Sequence, residues 1–155
     1  MDKENVEDLI LSSSSSTRIS LYAVRQGKAG LDEHRKKILD RIPNSGDWAC
    51  FEHDSIVLKD LAYLSAKTGD EFALLRGKKE DILFHGTRIK CSFYGLLYDM
   101  LMSHKLALIG HSHPGEDDPV ASSDDRSVLR TIGQKSSFII SGRTGRITEY
   151  TWSLF

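Results

Sequence analysis

Cysteine is scarce in this chain, which excludes the small folds that disulfide bonds hold together. The 155 residues contain two cysteines, Cys50 and Cys91, far apart in the sequence. A disulfide framework needs several cysteines at close spacing. We therefore expect a reduced, cytoplasmic protein without disulfide bonds.

The chain also lacks a long apolar run and an excess of charge of either sign. No stretch approaches the roughly 18 apolar residues that a transmembrane helix needs, and residues 1–11 are acidic, unlike a signal peptide. The 21 basic and 22 acidic residues leave a net charge of -1. Because such a protein has no general attraction to polyanions, we expect neither nucleic acid nor a membrane as a partner.

The remaining composition suits one soluble globular domain. Apolar residues make up 39% and charged residues 28% of the chain, which is enough for a single core. We divide the chain into an N-terminal extension, residues 1–46, and a core, residues 47–155. The elements predicted for the extension are a short helix within residues 1–11, a serine linker at residues 12–16, and a strand–helix unit with its strand over residues 18–25 and its helix over residues 31–42.

The core alternates strand patterns with helix patterns. The predicted strands cover residues 48–52, 72–76, 81–85, 105–109, 137–140 and 146–150. The predicted helices cover residues 54–67, capped by Asp54 or Ser55, residues 93–103 and residues 125–134. Interleaved strands and helices predict a mixed α/β (or α+β) fold with one central sheet flanked by helices.

Two histidines that directly follow the strand predicted over residues 105–109 are the strongest signal of chemistry. His111 and His113 are spaced i, i+2, so both side chains point to the same face of a strand and can converge on one ion. Asp124 and Asp125 follow at the start of the next helix, and either could add a carboxylate ligand. Three protein ligands with one open position are typical of a catalytic zinc site.

Three separated segments resemble the JAMM (MPN+) zinc metalloprotease family, in its prokaryotic JAB-type form. The first is the His-Ser-His-Pro run at residues 111–114, and the second is the Ser-x-x-Asp run that begins at Ser122. The third is upstream, where Glu71 precedes an apolar segment that ends at Gly77, similar to the glutamate-bearing strand of that family. The resemblance covers about residues 50–150 and leaves the extension outside it.

The resemblance implies a JAB/MPN-like single domain with a cytidine-deaminase-like layout. It implies one Zn²⁺ held by His111, His113 and Asp125, with Glu71 and Ser122 as catalytic residues. The implied reaction is hydrolysis of an amide or isopeptide bond, at the carboxyl end of a ubiquitin-like protein or in a related protein or peptide conjugate.

The same chemistry follows from the residue types. Zinc lowers the pKa of a bound water to about 7, which gives a nucleophile at neutral pH. Glu71 would take the proton as general base and return it to the leaving amine as general acid. Ser122 would donate a hydrogen bond to the oxyanion, a contact worth about 3–4 kcal/mol in other enzymes.

The identity of the carboxylate ligand depends on the loop length. Eight residues separate His113 from Ser122, whereas the family usually has seven. Counting from His113 selects Asp124; counting from Ser122 selects Asp125. We favour Asp125, because a helix capped by Ser122 has Asp125 at its third position, directed back over the helix start.

Simpler interpretations of these residues stay open. The Ser122 motif is also an ordinary helix capping box, and residues 116–118 could be a solvated acidic loop. The remaining histidines fit surface or packing positions: His34, His53, His85 and His104. The alternative functions are a zinc-containing JAB/MPN interaction module without turnover and a DNA-repair-associated relative of the same fold, which the near-neutral charge disfavours.

Overall fold

A computed structural model describes residues 19–153 of the chain. The helix predicted within residues 1–11 and the serine linker at residues 12–16 lie outside the described residues. Within the described part, no helix is long and apolar enough to cross a membrane.

Residues 19–153 form five helices and six strands. The helices are α1 (Leu21–Arg25), α2 (Glu33–Arg41), α3 (Leu58–Thr68), α4 (Leu96–Met102) and α5 (Ser123–Ile132). The strands are β1 (Trp48–Glu52), β2 (Phe72–Arg76), β3 (Glu80–His85), β4 (Ala107–His113), β5 (Ser136–Ser141) and β6 (Ile147–Thr151). These elements confirm a mixed α/β single domain.

The six strands make one mixed sheet in the order β1-β3-β2-β4-β5-β6. The β4–β5 pair is parallel and the other pairs are antiparallel. Strand β2 lies beside β4 with Ala73 opposite His111. This register brings the start of β2, next to Glu71, to the end of β4 that carries the histidines.

Alternating side chains of the sheet fill two hydrophobic layers, because successive residues of a strand face opposite sides. Ala73 and Leu75 face one layer, which also contains Leu129 of α5 and Leu101 of α4.

Leu74 faces the other layer, which contains Ile38 and Ile42 from the extension and Leu61 and Leu64 from α3. The extension therefore shares a core with α3 and β2, although whether it is a separate functional unit stays a prediction.

The strand predicted over residues 18–25 is wrong, since this segment contains α1. The Ser20 side chain caps the helix by accepting a hydrogen bond of 3.0 Å from the Ala23 backbone N–H. Val24 is the buried residue of α1 and packs against Tyr63 and Ala66. The β-branched and aromatic residues suggested a strand, but a cap and one buried side chain decide the local structure. The predicted strand–helix unit is thus a pair of helices.

Two helix starts also differ from expectation. Helix α3 begins at Leu58, not after Asp54 or Ser55, and the Val57 N–H donates to the Asp60 carboxylate at 2.9 Å. Asp54 instead adopts a left-handed conformation, and its N–H donates to Asp81 at 3.0 Å. Helix α4 begins after Gly95, later than predicted. The strand predicted over residues 105–109 is longer than expected, because β4 continues to His113. The remaining helices and strands predicted within residues 19–153 are confirmed to within a few residues.

Candidate metal centre

Strand β4 presents two buried imidazoles to the same face of the sheet. His111 and His113 are 5% and 7% exposed. Their Nε2 atoms lie 3.1 Å apart, as the i, i+2 spacing predicts. The backbone of β4 is held between β2 and β5, so the direction of both rings is set by the sheet.

The start of α5 brings a carboxylate to both rings. Ser122 Oγ accepts a hydrogen bond of 3.0 Å from the Asp125 N–H, and the Ser122 N–H donates to Asp125 Oδ2 at 2.9 Å. This reciprocal capping box fixes the Asp125 side chain over the helix start. Asp125 Oδ1 lies 3.2 Å from His111 Nε2, and Oδ2 lies 3.3 Å from His113 Nε2. In residues 19–153, no hydrogen bond or ion pair joins the exposed Asp124 to either histidine.

Hydrogen bonds between the buried histidines and Asp125 shift the pKa values of Asp125 and His113. Burial by itself would raise the pKa of Asp125, but hydrogen bonds from His111 and His113 outweigh it and hold that pKa well below its usual range. Burial would likewise lower the pKa of His113, but hydrogen bonds to Asp125 and Glu116 raise it to about 9. Without a cation, both ring nitrogens of His113 are therefore protonated at neutral pH, and the ring is positively charged.

Glu71 is a buried acid directly before β2. A carboxylate oxygen of Glu71 and one ring nitrogen each of His111 and His113 all lie within 4.8 Å of one another. Burial raises the pKa of Glu71 to about 7, and the negative charge of Asp125 adds to the shift although His113 opposes it. A carboxyl group with that pKa populates both its acid and its base form at neutral pH.

The two strands of the site are clamped by buried hydroxyls that sequence reasoning missed. Ser112 Oγ accepts a hydrogen bond of 3.0 Å from the Phe72 N–H. Ser112 also shares a short hydrogen bond with Ser65 of α3, and Ser65 donates to the Asp70 carbonyl at 2.6 Å. This network fixes β2 relative to β4. The buried serine between the two histidines was the only local signal for it.

Gly110 precedes the histidines at a point of close approach between α3, β4 and β5. A Cβ atom at this position would lie 2.6 Å from Leu58 Cδ2 and 2.9 Å from the Phe138 carbonyl oxygen. Backbone cannot easily retreat from such a contact. A glycine here allows α3 to pack against the strand that carries the site.

Glu116 is a further residue of the cluster that sequence reasoning missed. Its Oε1 lies 3.1 Å from His113 Nδ1 and accepts a hydrogen bond of 3.0 Å from the Val120 N–H. A carboxylate behind a ligating imidazole is a common outer partner of metal sites. An acid three residues after His113 was the signal in the sequence.

The acidic run that contains Glu116 is exposed to solvent, and two of its carboxylates also form ion pairs. Asp117 pairs with Arg143 at 2.6 Å, and Asp118 pairs with Arg146. These ion pairs tie the loop to the turn between β5 and β6. The loop is therefore held to the β5–β6 turn as well as to His113.

A cavity of about 90 Å³ opens beside the cluster. Its polar lining includes Glu71, His111, Ser122 and Asp125. The Ser122 hydroxyl accepts the helix cap, so its own proton is left for another acceptor, since a hydroxyl both donates and accepts. This geometry is compatible with the oxyanion role of Ser122, which stays a prediction.

The described residues contain a second group of possible ligands, His53, Asp54 and Asp81. Arg76 lies against it, with Nη2 3.2 Å from Asp81 and 3.4 Å from Asp54. The guanidinium already supplies the positive charge that a cation would bring. The histidine cluster is therefore the better candidate for a metal.

The donor set of the histidine cluster fits zinc. Two imidazole nitrogens and a carboxylate face one point, and these are ligands that Zn²⁺ accepts in catalytic sites. The Nε2 atoms of the two rings lie 3.1 Å apart, close enough for one metal ion to bind both. Because His113 Nδ1 faces Glu116, its Nε2 is the nitrogen available to a metal.

Comparisons with known proteins do not assign the chain to a family. No protein-family model, no curated protein and no solved structure gave a significant match.

Proposed function

We propose that this chain is a zinc-dependent peptidase or isopeptidase of the JAMM type. The observation that carries the proposal is the convergence of His111, His113 and Asp125, with ring nitrogens and carboxylate oxygens within 3.3 Å, beside the buried Glu71. The order of these residues along the chain and their resemblance to the JAMM pattern support the same reaction. The free thiols of Cys50 and Cys91 support a reducing compartment such as the cytoplasm.

Each residue has a distinct role in this proposal. His111, His113 and Asp125 would hold the ion, which would supply the Lewis-acid chemistry that makes water a nucleophile at neutral pH. Glu71 would take the proton of the attacking water and pass it to the leaving amine. In the metal-free protein, burial raises the pKa of Glu71 to about 7, and a raised pKa favours the return of the proton to the leaving amine. Ser122 would donate a hydrogen bond to the oxygen that gains negative charge.

The proposed substrate is the carboxyl end of a ubiquitin-like protein or a related conjugate. An open groove next to the cluster supports a polypeptide substrate, because it leaves room for a segment of chain beside the site. The groove runs between the turn with Arg88 and Ile89 and the loop with Pro114 and Glu116. Ile89 is 74% exposed there and offers an apolar contact.

The proposal can be tested with the full-length protein. Elemental analysis should find about one zinc per chain. The zinc-loaded protein should cleave a reporter fused to the carboxyl end of a ubiquitin-like protein, or members of a quenched-fluorescent peptide library. Protein that binds no zinc even after zinc addition would refute the proposal. Protein that binds zinc but cleaves no member of either set would favour the interaction module.

A further inference from the structure

His85 is buried between two oxygen atoms outside the candidate metal centre. Its Nδ1 lies 2.7 Å from the Ile42 carbonyl oxygen and its Nε2 lies 2.8 Å from Asp70 Oδ2. The residue is 2% exposed, and its ring stacks on Phe72 with the centroids 4.4 Å apart. Rotating the ring by half a turn would place carbon atoms against both oxygens, so the hydrogen bonds fix its orientation.

These contacts set the protonation state of the ring. A carbonyl oxygen can only accept a hydrogen bond, so His85 Nδ1 carries a proton. An ionised carboxylate can also only accept, so Nε2 facing Asp70 carries a second proton. His85 is therefore an imidazolium that donates to both neighbours. With Asp70 it forms an ion pair, which burial strengthens because little water screens it.

The His85–Asp70 ion pair is connected to Glu71, the proposed general base, through the backbone. Asp70 directly precedes Glu71, and the two residues after His85 hold Glu71 itself. The Gly86 N–H donates to the Glu71 carbonyl at 2.7 Å, and the Glu71 N–H donates to the Thr87 carbonyl at 2.8 Å. In residues 19–153, no hydrogen bond reaches the Glu71 carboxylate, so its direction depends on how this backbone is held.

His85 also forms a hydrogen bond with the N-terminal extension. Ile42 is the C-cap residue that follows α2; it is fully buried, and its carbonyl accepts a hydrogen bond from His85. His85 thus connects three segments: the end of α2, the end of β3 and the residue before Glu71. A shift of α2 would be transmitted to Glu71 through two hydrogen bonds and one peptide unit.

We propose that His85 is a positioning residue that, as a doubly protonated imidazolium, fixes Asp70 and thereby aligns Glu71 with the metal site. The charged state and the link to α2 follow from the hydrogen bonds alone. The effect on turnover rests on the proposed peptidase function. Nothing in this role requires His85 to touch substrate or metal.

Nitrogen NMR of the full-length protein tests the charged state without any activity. At pH 7, the wild-type protein should show both ring nitrogens of His85 protonated. Asp70→Asn is a matched variant, because its amide can donate to Nε2 of a neutral ring and keep the contact. In that variant, only Nδ1 should carry a proton. A singly protonated His85 in the wild-type protein would overturn the proposal.

Turnover by the zinc-loaded protein tests the positioning role. His85→Ala and Asp70→Ala should each lower kcat about 10-fold or more with KM and zinc content unchanged, because a small misplacement of a catalytic group slows chemistry rather than binding. Asp70→Asn should stay within about threefold of wild type, since the contact persists. His34→Ala, at an exposed position of α2, should match wild type.

These variants distinguish a folding defect, a failure of the positioning role and a failure of the proposed function. If His85→Ala does not fold, Asp70→Ala still decides, because it leaves the imidazole in place. Wild-type kcat in Asp70→Ala would overturn the positioning role. An inactive wild-type protein would contradict the proposed function, and the NMR result would still decide the charged state of His85.

Discussion

His113 Nδ1 lies 3.1 Å from Glu116 Oε1, in a loop that also pairs with the β5–β6 turn. When the Nδ1 proton donates to this carboxylate, the lone pair of Nε2 is left for a cation. The loop therefore orients the second histidine as well as joining β4 to α5.

Removing that carboxylate should weaken metal binding. We expect Glu116→Ala to lower zinc affinity about 10–100-fold, the usual effect of losing such an outer partner, in a chelator-competition titration. Asp117→Ala is the control, because Asp117 is exposed and pairs with Arg143 instead. Equal zinc affinity in Glu116→Ala and Asp117→Ala would show that Glu116 does not orient the imidazole.

The two adjacent acids at the start of α5 should behave differently. Asp125→Ala removes a carboxylate that lies 3.2 Å and 3.3 Å from the two ring nitrogens, so most zinc affinity should be lost. Asp124→Ala should keep it, because the Asp124 side chain is exposed. Zinc titration of both variants gives the comparison, and the reverse order would mean that the loop rearranges when the metal binds.

Much of the candidate site could be predicted from local patterns. The i, i+2 spacing of His111 and His113 on an apolar strand indicated that both rings share a face, and the observed strand β4 includes both residues. The Ser122 capping box indicated that Asp125 is directed back over the helix start. Both patterns depend on periodicities of a few residues, which a sequence displays directly.

Contacts between distant segments could not be predicted in this way. The Ser65–Ser112 hydrogen bond joins residues 47 positions apart, and the His85–Ile42 contact joins residues 43 positions apart. Neither has a local signature, because a buried polar residue looks the same in sequence whatever its partner. The helix α1 was missed for a related reason, since tertiary burial of Val24 against Tyr63 outweighs its strand propensity.

Zinc binding should release a proton from His113. The pKa of His113 in the metal-free protein is raised to about 9, so the ring is protonated at pH 8, whereas a metal needs the neutral ring. Apparent affinity should therefore rise with pH, and about one proton should leave His113 per zinc bound between about pH 7.5 and 8.5. Calorimetry in buffers of different ionisation enthalpy measures this number; a value near zero would contradict the ion-pair description of the metal-free site.

Two deletions should separate the parts of the N-terminal extension. Deleting residues 1–16 should leave folding and zinc binding intact, as the serine linker predicts. Deleting residues 1–46 also removes Ile38 and Ile42, which are 4% and 0% exposed. Losing a buried aliphatic side chain costs about 2–5 kcal/mol, and a domain is stable by about 5–15 kcal/mol. We expect this deletion to abolish cooperative thermal unfolding.

Two thermal-unfolding results would contradict these expectations. A large drop in Tm after deletion of residues 1–16 would refute the linker. A wild-type Tm after deletion of residues 1–46 would show that the Ile38 and Ile42 contacts contribute little to stability.

Glu71→Gln should separate metal binding from turnover. Glutamine keeps the size of the side chain and its capacity to hydrogen bond, but it cannot take a proton from water. If Glu71 is the base, the variant should keep about one zinc per chain and lose about 100-fold or more in kcat. If the Glu71 carboxylate is instead a metal ligand, which its position within 4.8 Å of both ring nitrogens would also allow, zinc content should fall together with activity. Zinc content and kcat measured on the same sample therefore assign the role of Glu71, and full activity with full zinc would exclude both roles.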